Sequence, residues 1–204
     1  MTTTLPDRST TAPRPSHATT AASAATAEPR TTARLGALVE DIRAVVDRGL
    51  PPALTAELVG ECLAPHLGAA DLLTPEQQEG DAACYRQHVL HAEQDGSFSV
   101  VALVWLPGQE TCIHDHVSWC VAGVHQGEES EVRYALTPSA DRARLRAVAH
   151  VVNRLGEVAG FAPPGDIHKV RNSCDTTAIS IHVYGADVTR LGSSIRRIYK
   201  MPVD

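Results

Sequence analysis

Two histidines two residues apart, His114 and His116, stand within the stretch Gly108 to Gly127, GQETCIHDHVSWCVAGVHQG, directly after a hydrophobic segment. Neutral imidazoles are good ligands for Fe(II), Zn(II), Cu(II) or Ni(II), so the chemistry on offer is metal binding. In an extended strand alternate side chains share a face. His114 and His116 can therefore both point at one ion while Asp115 points away. Continuing the alternation puts Ser118 and Cys120 on the same face as the histidines. A bare H-x-H would serve equally well as two surface side chains, and it is the framing glycines that favour a built site.

A second run with chemical content is Ser180 to Tyr184, SIHVY. Strand alternation places Ser180, His182 and Tyr184 on one face and Ile179, Ile181 and Val183 on the other. A polar face on an otherwise apolar strand is costly to bury unless its groups bond to one another, so a Ser-His-Tyr relay is the economical arrangement.

The elements that must hold these residues are short strands. Tyr85 to His91, Phe98 to Leu106, Val132 to Leu136, Leu145 to Val152, Glu157 to Phe161 and Thr177 to Tyr184 are apolar or alternating runs separated by Gly, Pro, Asn and Asp clusters. So many strands in one unit indicate a sandwich or barrel. The segment Ile195 to Met201 is compatible with a strand or a short helix. Ahead of the strands, Leu35, Leu38, Val39, Ile42 and Val46 recur at helical spacing until Gly49 and Pro51-Pro52. Leu54, Leu58, Val59 and Cys62 continue in a second helix that breaks near Pro65. Both helices are expected to pack outside the main body.

Residues 1–34 are dominated by Thr, Ala, Pro and Ser and lack apolar periodicity, which predicts a disordered tail. The remaining 35–204, about 170 residues, suits one domain. No basic segment precedes an apolar run, and no apolar stretch is long enough to span a bilayer. The expectation is a soluble, cytoplasmic chain without membrane contact. A net charge of −6 disfavours nucleic acid as a partner. Five cysteines, odd in number and without a C-x-x-C pair, are expected to be reduced thiols.

Nearly fifty residues after the H-x-H comes Pro163-Pro164-Gly165-Asp166-Ile167-His168-Lys169-Val170-Arg171-Asn172, a Pro-Gly turn that delivers a histidine onto a strand. The pair of stretches resembles the two motifs of the cupin superfamily. Gly108, His114, His116 and Gly127 fit the first motif; Pro163, Gly165, His168 and Asn172 fit the second. The resemblance implies a mainly β fold, a double-stranded β-helix or jelly-roll barrel, with a metal inside. Many cupins carry a glutamate ligand after H-x-H, and here Cys120 stands in its place. That leaves His114, His116 and His168 as a three-imidazole face with open positions, whereas a closed structural zinc site would use a fourth protein ligand.

The resemblance tightens to the cysteine dioxygenase family of thiol dioxygenases over about residue 35 to the C-terminus. It is carried by I-H-D-H around His114 and His116, by G-D-I-H-K-V-R-N around His168, and by Ser180, His182 and Tyr184, which match that family's outer triad. It implies Fe(II) on the three histidines and oxidation of L-cysteine or 3-mercaptopropionate by O2 to the sulfinic acid. The chain is expected to be a monomer or small homo-oligomer. Substrate choice in that family is associated with arginine or glutamine on an early strand. Gln87 occupies that position, with Arg86 facing the opposite way, which points to 3-mercaptopropionate. Cys120 points the other way, because a cysteine able to form a thioether with the triad tyrosine, here Tyr184, is a feature of animal cysteine dioxygenases. Arg190 is a further candidate for the substrate carboxylate. Two other classes use the same three histidines: a zinc or nickel cupin acting as isomerase or hydrolase, and a non-catalytic cupin that binds a small ligand. The first has no need of the Ser180-His182-Tyr184 relay, and the second would tolerate loss of the open coordination positions.

Overall fold

The computed structural model describes residues 31–137 and 143–204. Residues 1–30, most of the stretch read as a tail, lie outside the described residues. Thr32 and Ala33, assigned to that tail, instead open the first helix. Helix α1, Ala33–Val46, is capped by the Thr32 hydroxyl, which accepts from the Leu35 amide at 3.0 Å and donates to the Leu72 carbonyl at 3.1 Å. Helix α2, Pro52–Leu63, starts with proline where a missing amide hydrogen costs nothing.

Ten strands follow: β1 Arg86–Ala92, β2 Ser99–Trp105, β3 His114–His116, β4 Cys120–Gln126, β5 Glu128–Thr137, β6 Arg144–Arg154, β7 Val158–Phe161, β8 His168–Asn172, β9 Ala178–Tyr184 and β10 Ile195–Ile198. The ambiguous C-terminal segment is thus a strand at its start, paired with β3. Two five-stranded sheets form, ordered β1-β2-β9-β4-β7 and β10-β3-β8-β5-β6, and every pairing between named strands is antiparallel. This is the cupin double-stranded β-helix, and its consecutive strands repeatedly cross from one sheet to the other.

Strands β2 and β9 are buried at every position because both faces of their sheet are covered. Val100, Ala102, Val104, Val121, Ile179, Ile181 and Val183 point outward and pack with Leu35, Leu38, Ile42, Val59 and Leu63 of the helices. At roughly 1.5–3 kcal/mol for each large apolar side chain buried, this layer is a main source of stability. Val101, Leu103, Trp105, Cys120 and Tyr184 form an inner cluster with Val170 of the opposite sheet. The helices therefore stabilise one wall of the barrel from outside and leave the interior to the site.

The motif glycines have backbone reasons. Gly127 turns the chain from β4 into β5 at φ +74°, and a Cβ there would lie 3.1 Å from Ala178. Gly165 has φ +106° in the turn before β8. Among the described residues no helix is long and apolar enough to cross a membrane.

One sequence expectation is corrected. The strand carrying His114 and His116 ends at His116, and the chain bends through Val117 and Ser118 before β4 begins in the other sheet. Alternation cannot run through that bend. Cys120 reaches the interior by another route, from the wall opposite the histidines.

Candidate metal centre

The three histidines converge from adjacent strands of one sheet. His114 on β3 is the ladder partner of His168 on β8, and His116 shares its face with His114. Their ring centroids are 4.7 to 5.0 Å apart, and one nitrogen from each lies within 4.8 Å of the others. Asp115 points the other way, where its Oδ2 accepts from Arg196, Arg197 and the Tyr199 hydroxyl.

Each ring is held by its Nδ1. That of His114 donates to the Cys112 carbonyl at 2.9 Å, that of His116 to Asp166 Oδ2 at 3.1 Å and that of His168 to Glu131 Oε1 at 2.8 Å. Holding Nδ1–H fixes the tautomer, so each Nε2 presents a lone pair inward. Nε2 of His168 is buried without a hydrogen-bond partner, which is a fit for a bound ion. Burial pushes the His114 imidazole down to about 3, aided by neighbouring His168, so it is neutral at physiological pH and able to act as a ligand. Burial alone would raise Asp166 and Glu131. Hydrogen bonds from His116 and from His168 with Arg133 reverse that and keep both carboxylates ionised.

Asp166 and Glu131 were not singled out from the sequence. Asp166 lies in the G-D-I-H run, where the histidine two positions on carries the stronger signal. Glu131 was hidden because β5 starts at Glu128 with the polar run Glu128-Glu129-Ser130-Glu131, ahead of the apolar run from Val132 that signals a strand.

Across the cavity, β9 presents Ser180, His182 and Tyr184 on one face. Ser180 Oγ is 2.9 Å from His182 Nε2, and His182 Nδ1 is 3.2 Å from the Tyr184 hydroxyl. Trp105 Nε1 donates to Ser180 Oγ at 3.1 Å. Burial pushes His182 down to about 3 and the Tyr184 phenol well above its ordinary range, so the relay is built of neutral groups. The Tyr184 ring centroid is 6.1 Å from that of His116.

A cavity of about 50 Å3 separates the histidines from the relay. Its lining includes the three imidazoles, His182, Tyr184, Tyr85, Trp105, Ser194 and Gln87. Gln87 lies opposite Leu103, and Arg86 is turned outward towards Glu79. Arg190 is elsewhere: it sits beyond β9 with its guanidinium on Asp187 and on the Gln94 carbonyl at the surface. Its assignment to the substrate carboxylate is therefore corrected. Asp187 caps the short helix α3, Val188–Leu191, and holds Arg190 on the outside of the barrel. Sequence reasoning missed Tyr85, whose ring lies tilted against Trp105 with centroids 4.4 Å apart, and Ser194, which follows a turn and carries no periodic signal.

Comparison with known proteins gives two findings. The family model for cysteine dioxygenase type I matches residues 81–191, which contain all three histidines and the relay. Among solved structures, a Thermus thermophilus protein is similar at 20% identity over 54% of this chain and 91% of its own, with a TM-score of 0.40. A Klebsiella pneumoniae protein with a double-stranded β-helix domain is similar at 20% identity over 55% of this chain and 85% of its own, TM-score 0.40. A cupin superfamily protein of Desulfitobacterium hafniense is similar at 12% identity over 59% of this chain and 90% of its own, TM-score 0.40.

Proposed function

This chain belongs to the cysteine dioxygenase type I family, and from that premise we propose that it is a non-haem Fe(II) thiol dioxygenase converting L-cysteine or 3-mercaptopropionate to the sulfinic acid. The observation that carries the reading is the facing of a three-imidazole centre by the Tyr184-His182-Ser180 relay across a small cavity. A zinc or nickel cupin of another class has no use for that relay.

His114, His116 and His168 would hold the iron through Nε2, with Asp166, Glu131 and the Cys112 carbonyl keeping the rings in place. Bound there, Fe(II) supplies the redox chemistry by which a thiolate sulfur takes up both atoms of O2. In the overall reaction the thiolate gains two oxygens, sulfur loses four electrons and O2 accepts them, two rungs up the sulfur oxidation ladder. Three protein ligands leave room for substrate and oxygen side by side, which supplies proximity.

The protein's own groups orient the reactants. Tyr184 offers its hydroxyl towards O2 or the substrate carboxylate, and His182 with Ser180 fixes that hydroxyl. Gln87 offers an amide donor to the carboxylate from the cavity wall. Tyr85, Leu103 and Val170 keep the cavity partly apolar and limit water around the sulfur. A cytoplasmic setting, in which the five cysteines form no disulfide, agrees with this substrate chemistry.

The test is metal analysis of protein purified without added metal, followed by oxygen uptake with a panel of small thiols and identification of the product. Iron content that tracks uptake and a sulfinic acid product are expected. Zinc or nickel retained without thiol-dependent uptake would overturn the proposal.

A further inference from the structure

Glu129 on β5 is a carboxylate that the reading above does not use. It is 3% exposed, and its Oε1 is buried without a hydrogen-bond partner. The side chains of Ser180 and Trp105, at the far end of the relay from Tyr184, are the donors that offset its burial. Arg154 pairs with the neighbouring Glu128 instead. The titratable groups that reach Glu129 are Glu131 on its own strand and Tyr184 across the barrel. His182 follows through Ser180. Strands β8, β6 and β2 present Asn172, Asn153 and Trp105, none of which titrates in the physiological range.

We infer that Glu129 is a positioning residue: its carboxyl terminates the Ser180-His182-Tyr184 chain, and the presence or absence of its proton sets the direction in which every hydrogen bond of that chain runs. The inference deepens the proposed function and rests on its reading of Tyr184 as the group that meets the reactants.

Ser180 Oγ has one hydrogen and two lone pairs, and Trp105 Nε1–H can only donate to it. When Glu129 is ionised it accepts the Ser180 hydrogen. Ser180 must then accept from Nε2–H of His182, leaving Nδ1 bare to accept from the Tyr184 hydroxyl. Tyr184 in that state shows the cavity only lone pairs. When Glu129 is protonated its O–H donates to Ser180, which fills the second lone pair. Ser180 then donates to Nε2, Nδ1–H donates to the phenol oxygen, and the Tyr184 hydrogen is free to point at the cavity and Ser194. One proton at Glu129 thus decides whether Tyr184 meets oxygen or a carboxylate as donor or as acceptor.

Burial pushes Glu129 up to about 7, with the neighbouring Ser180 hydroxyl opposing it, so both states are populated near neutrality. His182 stays neutral throughout, since burial holds it near 3, and the change on its ring is one of tautomer.

The test is 15N NMR of the His182 ring in the full chain, loaded with diamagnetic Zn(II), across pH 5.5 to 8.5, alongside the 13C signal of the Glu129 carboxyl. In the wild type the protonated and bare nitrogens of His182 should exchange identity at the pH where the Glu129 carboxyl titrates. In Glu129→Gln that exchange should be lost. Should the variant fail to fold, the wild type alone decides, because different midpoints for the two signals overturn the inference. A tautomer that never changes, or a change that persists in Glu129→Gln, overturns it too. The readout needs no turnover, so failure of the dioxygenase reading would appear separately in oxygen uptake.

Discussion

Cys120 lies directly across the ladder from Tyr184: their Cα atoms are partners between β4 and β9, and both side chains are buried in the same inner cluster. Directly opposed positions bring Cβ atoms to about 5 Å, close enough for a thiol to reach a ring edge. Burial pushes the Cys120 thiol up, so it is a neutral S–H until oxidised. Turnover in iron-loaded protein, with O2 as oxidant, is expected to join Sγ to the ring carbon beside the phenol oxygen. Mass spectrometry should then show a loss of about two mass units, the two hydrogens removed in coupling. Cys120→Ser should abolish the shift, and an unshifted mass in turned-over wild type would exclude the link.

Replacing any one of His114, His116 or His168 by alanine should abolish iron retention, because two imidazoles do not make a facial site. Asp166→Asn should do less. It keeps a hydrogen-bond acceptor for His116 Nδ1–H and loses the charge, so metal affinity should fall on the order of 10- to 100-fold. Metal content after dialysis against a graded chelator measures both, and equal retention in Asp166→Asn and wild type would remove Asp166 from the account.

Gln87→Arg tests the carboxylate contact. A guanidinium can clamp a carboxylate through two charge-assisted bonds where an amide offers one ordinary donor, a difference of about 1–2 kcal/mol, or about tenfold and more in affinity. The wild type should oxidise 3-mercaptopropionate measurably, and Gln87→Arg should move the ratio of kcat/KM values towards cysteine. An unmoved ratio would show that Gln87 is not the selector.

Stability should respond to pH through two buried groups of opposite sign. The imidazole of His182 is depressed to about 3, so below about 6.5 only the unfolded chain takes up its proton, and stability falls as pH falls. Glu129 is raised to about 7, so above about 4.5 only the unfolded chain releases its proton, and stability falls as pH rises through 7. Between about pH 4.5 and 6.5 the two slopes, each up to about 1.4 kcal/mol per pH unit, oppose each other. Chemical denaturation should therefore show Glu129→Gln losing stability more steeply than wild type on acidification from pH 6.5. His182→Gln should show the reverse. Parallel pH curves for all three proteins would contradict both assignments.

The amino-acid sequence by itself determined the three converging histidines, the polar face of β9 and the barrel that holds them. Both kinds of signal are local. Alternation along one strand puts Ser180, His182 and Tyr184 on a shared face, and glycine and proline at fixed offsets from His114 and His168 mark the turns that deliver them. Only the tertiary structure decided which groups stand behind them. Asp166 meets His116 across 50 positions of chain and Glu131 meets His168 across 37, and neither pairing leaves a periodic trace. The same is true of Arg190, whose charge suited a carboxylate until Asp187 was seen to hold it outside. Cys120 carries the physical reason most plainly. Alternation is a property of a continuous strand, and the chain bends after His116 into the opposite sheet. What Cys120 faces is therefore set by ladder register with Tyr184, some sixty residues later, which is a consequence of how the two sheets close and not of any neighbour in sequence.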